Sequence, residues 1–171
     1  MQNASQWLVE NERLLPRAGD VLDVACGRGR HAFWLAERGL RTYAIDRDPD
    51  VVREVNDEAS RRGLWVSASV LDLETGAVRF APPEYDVIVV VHYLHRPLFP
   101  ALIAALRPGG VLVYETFTRA QALRGHPTNP AFLLEPGELV TLVPPLEILA
   151  SREGDYEGRM VSGVIARRGA P

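Results

Sequence analysis

Three observations predict an α/β fold built on an open, largely parallel sheet. A short apolar run, Val21 to Val24, ends in the small-residue loop Ala25-Cys26-Gly27-Arg28-Gly29, and an amphipathic segment opens at Arg30 without a linker. The pattern then recurs, with Tyr43-Ala44-Ile45-Asp46 followed by Asp48-Pro49 and apolar positions at helical spacing. Finally, Val87-Ile88-Val89-Val90-Val91 is the most continuous apolar run in the chain, as expected of a central parallel strand covered on both faces.

At 171 residues and 47% hydrophobic content the chain suits one well-buried domain, expected over 1–171. A formal charge of -3 gives no basic face for phosphates, so a nucleic-acid partner is not expected. All 19 basic residues are arginine, which excludes lysine Schiff-base chemistry. Cys26 is the single cysteine, so neither an intrachain disulfide nor a cysteine-rich metal site is expected; it reads as a small residue filling a tight turn. Residues 1–20 carry Glu10, Glu12 and Arg13, unlike a signal peptide, and no apolar run approaches spanning length. A cytoplasmic protein with no membrane partner is the expectation.

In chain order, 4–15 reads as a helix ended by Pro16, within an N-terminal helical segment at 1–19. The first strand is expected at 21–25 and the first crossover helix at 30–38, stopped by Gly39. A second strand at 41–45 leads to Asp48 as N-cap and Pro49 at the first helical position, with Val51, Val52, Val55 and Ala59 on the buried face. A third strand is expected at 64–70. Tyr85 and Asp86 begin the fourth at the edge away from any ligand, a helix follows at 98–106, and Arg107-Pro108-Gly109-Gly110 turns into a fifth strand at 111–115. The stretch 119–132 shows no clear period, so it is a candidate substrate lid or a disordered insertion, with Glu115, Thr116, Phe117 and Arg124 as candidate wall residues. A short helix at 136–143 and a strand pair at 146–152 and 159–167, joined through Glu153-Gly154-Asp155, complete the chain.

The glycine loop admits two cofactors. Gly27-Arg28-Gly29-Arg30-His31-Ala32 formally fits the dinucleotide fingerprint of a nicotinamide oxidoreductase. Asp23 argues against it, because a buried carboxylate beside a pyrophosphate is costly, whereas beside an ammonium and a sulfonium it is useful. That points to S-adenosylmethionine. Asp46, closing the second strand with Arg47 after it, can accept from ribose hydroxyls, and Leu71-Asp72-Leu73 follows the third strand at the same edge. Asp72 alternatively only caps the turn before Glu74-Thr75-Gly76. The segment His92-Tyr93-Leu94-His95-Arg96 leaves the fourth strand at the edge where chemistry gathers in such sheets. His92, Tyr93, His95 and Arg96 are therefore the candidate catalytic residues, with His92 as general base and Arg96 holding an anionic substrate; His92 alternatively only satisfies backbone groups.

Asp23-Val24-Ala25-Cys26-Gly27-Arg28-Gly29 resembles the first motif of class I S-adenosylmethionine-dependent methyltransferases. Its continuation through Ala32 to Gly39 and Asp46 is similar to the small tellurite-resistance-type branch of that superfamily. The resemblance implies a single-domain Rossmann-like methyltransferase fold, a seven-stranded mixed sheet of order 3-2-1-4-5-7-6 with helices on both faces. It also implies S-adenosylmethionine as cofactor and S-adenosylhomocysteine as product. Asp23, Ala25, Gly27, Gly29 and Arg30 would cradle the methionine part; Asp46 would hold the ribose and Asp72 with Leu73 the adenine, with Arg47 and His92 lining the rest. In-line methyl transfer to a small-molecule acceptor is the expected function. A protein that binds the cofactor without catalysis, or an NAD-dependent oxidoreductase, are the alternatives. No metal is expected.

Overall fold

The strands of the computed structural model, which describes residues 3–76, 78, 80 and 85–169, are β1 (Asp20–Val24), β2 (Arg41–Asp46), β3 (Val66–Val70), β4 (Tyr85–Val91), β5 (Leu106–Phe117), β6 (Glu147–Tyr156) and β7 (Arg159–Arg167). They form one sheet in the expected order β3-β2-β1-β4-β5-β7-β6. The pairs from β3 to β5 are parallel, whereas β7 runs antiparallel to both β5 and β6. Alternation along the strands splits the core into two layers. Leu22, Val24, Ile88, Val90 and Leu112 pack with Leu102 on one face, and Val21, Val87, Val89 and Val113 pack with Leu35 and Trp7 on the other.

Helices α1 (Gln6–Glu10), α2 (Arg30–Ala36), α3 (Pro49–Arg62), α4 (Phe99–Ala105) and α5 (Leu139–Leu142) cover these faces. Asp48 caps α3 by accepting from the amides of Asp50 at 2.9 Å and Val51 at 3.4 Å, and Gly63 ends it in the left-handed region. Val52, Val55 and Ala59 are buried as expected, while Val51 is only partly so. Asp86 accepts from the Asp20 amide and from Arg107, so the opposite edge of the sheet is held by a structural charge network.

Several boundaries differ from the expectation. The helix expected at 4–15 splits at Asn11, whose side chain donates to the Trp7 carbonyl at 2.8 Å and closes α1 before a 3₁₀ turn at Glu12–Leu14. The predicted Arg-Pro-Gly-Gly turn is an excursion inside β5: Leu106 already pairs with Tyr85, and the register jumps to Val111 opposite Val87. The β6–β7 hairpin does not turn at Glu153-Gly154-Asp155, because Gly154 pairs with Val161 in the ladder. It turns at Glu157 (φ 53°) and Gly158 (φ 75°), two left-handed residues whose twist suits a two-residue hairpin loop. The segment 119–132 is not patternless: it folds as 3₁₀ turns at Arg119–Leu123 and Pro130–Phe132. Gln121 anchors it, its amide donating to the His126 carbonyl and its oxygen accepting from the Met160 amide at 2.8 Å. The ends of the expected domain, residues 1, 2, 170 and 171, lie outside the described residues.

Candidate functional site

At the carboxyl edge of the parallel strands, where chain direction brings the loops after β1, β2, β3 and β4 together, two cavities open side by side. The smaller, about 350 Å³, is lined by Asp46, Arg47, Asp72, Leu73, Tyr93 and Phe132 among others. The larger, about 1100 Å³, is lined by Gly27, Arg30, His31, Glu115 and Arg159, with Asn3 to Ser5 from the N-terminal segment. Ala25 and His92 line both, so they stand where the two meet.

The glycine loop is shaped by three left-handed residues, Ala25 (φ 51°), Gly27 (φ 52°) and Gly29 (φ 76°). The two glycines do different work. A Cβ on Gly27 would meet nothing within 4 Å, which leaves its backbone open to the larger cavity. A Cβ on Gly29 would come within 3.0 Å of the Phe33 ring and 3.2 Å of Val55, so its absence lets α2 and α3 pack. Gly29 lines neither cavity.

Asp46 organises the loop from β2. Its Oδ2 accepts from the Gly27 amide at 2.9 Å and its Oδ1 from the Asp48 amide at 3.1 Å. Each oxygen keeps a lone pair for a further donor. Asp23 lies beneath the loop and lines neither cavity; it is 1% exposed and accepts from the Ala32 amide at 3.0 Å. Burial pushes its carboxyl up to about 7, against the pull of the Ala32 hydrogen bond and the Arg30 charge. Cys26 is buried, and burial pushes its thiol upward, leaving it inert as expected. Asp72 is exposed and accepts from the Glu74 amide at 2.9 Å, so the turn-capping role and the cavity-lining position coexist; Leu73 is buried below it.

His92 leaves β4 in a left-handed conformation (φ 60°), its amide donates to the Glu115 carbonyl at 2.8 Å, and its ring stacks on Phe117 with centroids 4.5 Å apart. Burial, then the charges of Arg30 and Arg159, pulls it down to about 4. That makes it a weaker base than the near-neutral histidine expected from the sequence. His31 is buried, its Nε2 has no hydrogen-bond partner among the described residues, and burial with Arg30 and His92 pulls it down to about 3. Tyr93 lines the smaller cavity, with its hydroxyl 3.3 Å from Glu74 and pushed up to about 12 by burial and that carboxylate.

Two expected catalytic residues, His95 and Arg96, line neither of these cavities. Arg96 is bound at Nε and Nη2 to Glu138, at 2.5 and 2.8 Å, and donates to the carbonyls of Ala131 and Leu133. It fastens the 119–132 segment rather than holding an anion, and neither it nor His95 lines either cavity. Among the candidate wall residues, Thr116 and Phe117 line the smaller cavity, whereas Arg124 pairs with Asp155 at 2.5 Å. Glu115 accepts from Ser5 at 2.9 Å and from Arg152 at 2.6 Å, a buried pair under the larger cavity. Sequence reasoning missed Ser5, His31 and Arg159. Their signals are weak: His31 adjoins the glycine loop, but Ser5 and Arg159 arrive from the two ends of the chain.

A family model described as a methyltransferase domain matches residues 21–110, which hold the loop, β2 and β4. The chain is 38% identical over 120 residues to a ribosomal protein L11 methyltransferase from Dechloromonas aromatica, covering 68% of this chain and 37% of that protein. It spans less than half the length of the curated relatives it matches. The solved structure of a SAM-dependent methyltransferase from Methanosarcina mazei superposes with a TM-score of 0.75 at 18% identity, covering 99% of this chain and 100% of that one. The structure of TehB from Haemophilus influenzae gives a TM-score of 0.74 at 19% identity, covering 95% of this chain and 61% of that one.

Proposed function

The chain belongs to the methyltransferase domain family, and from that premise we propose that it binds S-adenosylmethionine and transfers its methyl group to a small-molecule acceptor. The observation that carries this reading is the pair of cavities joined at Ala25 and His92, with a ribose-type carboxylate on one and an open glycine backbone on the other. The donor set suits the cofactor. Asp46 would hold the ribose hydroxyls, and Arg47, Asp72 and Leu73 would surround the adenine. Gly27 and Arg30 would take the amino-acid end, with the unpartnered His31 Nε2 as a further contact. Asp23 and Gly29 would act at one remove, by fixing the loop. When bound, the cofactor supplies an electrophilic methyl group on a sulfonium centre, and S-adenosylhomocysteine is its product.

The chain's own contribution is positioning. The reaction needs nucleophile, methyl carbon and sulfur in line and water excluded, so the residues at the junction do most by shape. His92, held by its backbone and by Phe117, is the wall there, and as a weak base it would suit an acceptor whose proton becomes acidic as the methyl is transferred. Phe132 and Pro127 from the 119–132 segment close the smaller cavity, the lid position in this reading. Among the described residues no helix is long and apolar enough to cross a membrane.

The test is a thermal-shift comparison with S-adenosylhomocysteine, S-adenosylmethionine and NADH. A ligand at about a hundred times its Kd stabilises the native state by roughly 2.7 kcal/mol, several degrees for a domain of this size. A shift with the two adenosyl sulfur compounds and none with NADH is expected. A shift with NADH alone would return the glycine loop to the dinucleotide reading.

A further inference from the structure

We propose that Arg159, at the tip of the β6–β7 hairpin, anchors a carboxylate of the methyl acceptor in the larger cavity. The inference rests on the cofactor reading above and deepens it to a substrate class.

The first argument is size. A cavity of about 1100 Å³ is that of a whole drug-sized ligand site, far beyond the needs of an aminobutyrate arm. The second is charge. Arg30 and Arg159 reach the same cavity from α2 and from the hairpin, and the charge of each acts on His92 between the two cavities. Arg159 also acts on Arg30, as like charge on like charge. Glu157 on the same lining offsets part of this repulsion, and an anion entering between the two guanidinium groups would relieve more of it.

The third argument is what neutralises each group. Arg30 donates to the Asn3 carbonyl at 3.3 Å and, in the reading above, takes the single carboxylate of the cofactor. Among the described residues the Arg159 guanidinium has neither an ion pair nor a hydrogen bond, unlike those of Arg96, Arg107, Arg124 and Arg152, each of which pairs with a carboxylate. Of the two carboxylates lining the cavity, Glu115 is already matched by Arg152 and Ser5. Glu157, the neighbour of Arg159 at the hairpin tip, faces the same space and acts on Arg30. Arg28, the third arginine on this lining, lies 3.9 Å from Glu54, so beyond Arg30 the guanidinium there without a carboxylate partner is that of Arg159, exposed on the rim, and its planar fork matches a carboxylate. The anion-holding role that the sequence suggested for Arg96 thus falls to a residue near the C-terminal end of the chain.

The experiment uses the full chain loaded with S-adenosylhomocysteine and, as probes, benzoate, phenylacetate and hexanoate beside their neutral amides. S-adenosylhomocysteine binding is measured first, by calorimetry, in the wild type, Arg159→Gln and Arg159→Lys. The expected result is a twofold or smaller change in its Kd across the three. At least one carboxylate is then expected to bind the loaded wild type tenfold or more tightly than its amide, with Arg159→Gln abolishing the preference, Arg159→Lys keeping part of it, and added salt weakening it. Equal binding of carboxylates and amides to the wild type, or an unchanged preference in Arg159→Gln, would overturn the proposal. So would a tenfold loss of S-adenosylhomocysteine affinity in Arg159→Gln, which would make Arg159 a cofactor residue. A wild type that binds no S-adenosylhomocysteine overturns the cofactor reading itself, at the first titration and before any carboxylate is added.

Discussion

Asp46 shows how one side chain can serve the loop and the ligand together. Its two oxygens hold the amides of Gly27 and Asp48 and still have capacity for ribose hydroxyls. Replacing it with Ala removes a charged acceptor from two amides and from the nucleoside. S-adenosylhomocysteine affinity measured by calorimetry is expected to fall by on the order of 2 kcal/mol, about thirtyfold. Asp23 is the contrasting case. Its carboxyl is lifted to about 7 by burial, so at pH 8 the fold carries a buried charge stabilised chiefly by one amide. In Asp23→Asn the amide oxygen can still accept from Ala32 while the charge is gone. The gain in thermal midpoint over the wild type is expected to be small at pH 4, to grow through pH 5 and 6 as the unfolded carboxyl ionises while the native one stays protonated, and to level off above about pH 7 at the equivalent of roughly a few kcal/mol.

Among the elements, α1 and the β6–β7 hairpin matter most to the larger cavity, and they are packed against each other. Trp7 lies on Gly163 of β7, where a Cβ would stand 3.0 Å from the indole, and Arg152 of β6 is over the same ring at 4.8 Å. Ser5, the N-cap of α1, bonds Glu115 on β5. Gly163→Ala forces the indole outward, at a cost typical of overpacking, roughly 1–3 kcal/mol. A lower thermal midpoint and red-shifted tryptophan emission are expected, with weaker S-adenosylhomocysteine binding as Asn3 to Ser5 retreat from the cavity wall; an unchanged emission maximum would mean that the ring is not held there. The hairpin itself was misplaced in the sequence because Glu153-Gly154-Asp155 and Glu157-Gly158 carry similar turn chemistry. Pairing with β5, through β7, decides between them by setting Gly163 opposite both Arg152 and Glu115.

For the whole molecule, the site dictates an unusual pH response. His31 and His92 are held to about 3 and 4, so the stability they contribute is present above 6.5 and lost as pH falls toward those values. Asp23 works in reverse: its contribution is complete below 3.8 and is lost as pH rises through about 7. Between about pH 4 and 6.5 the unfolded chain therefore binds two histidine protons more and one aspartate proton fewer, a net difference of one. Stability should rise with pH there by about 1.4 kcal/mol per unit and then dip slightly toward pH 7. Urea denaturation across pH 4.5–8 checks this. Asp23→Asn should steepen the acid limb to about twice that slope and remove the dip.

What the sequence by itself determined is local. The strand, glycine loop and helix around Gly27, the Asp48-Pro49 cap and the apolar β4 are set by neighbours along the chain, through steric and hydrogen-bonding rules that act over a few residues. The cavity-edge positions of Asp46, which ends β2, and Asp72, two residues past β3, follow from the same local rules. Tertiary structure alone decided which charges remain available. Arg96 and Arg159 look alike in sequence, yet Glu138, 42 residues from Arg96, neutralises one, while the hairpin carries the other to a cavity walled by Asn3 to Ser5. Ion pairing depends on which groups the folded sheet brings within a few ångströms, and separation along the chain does not encode that distance.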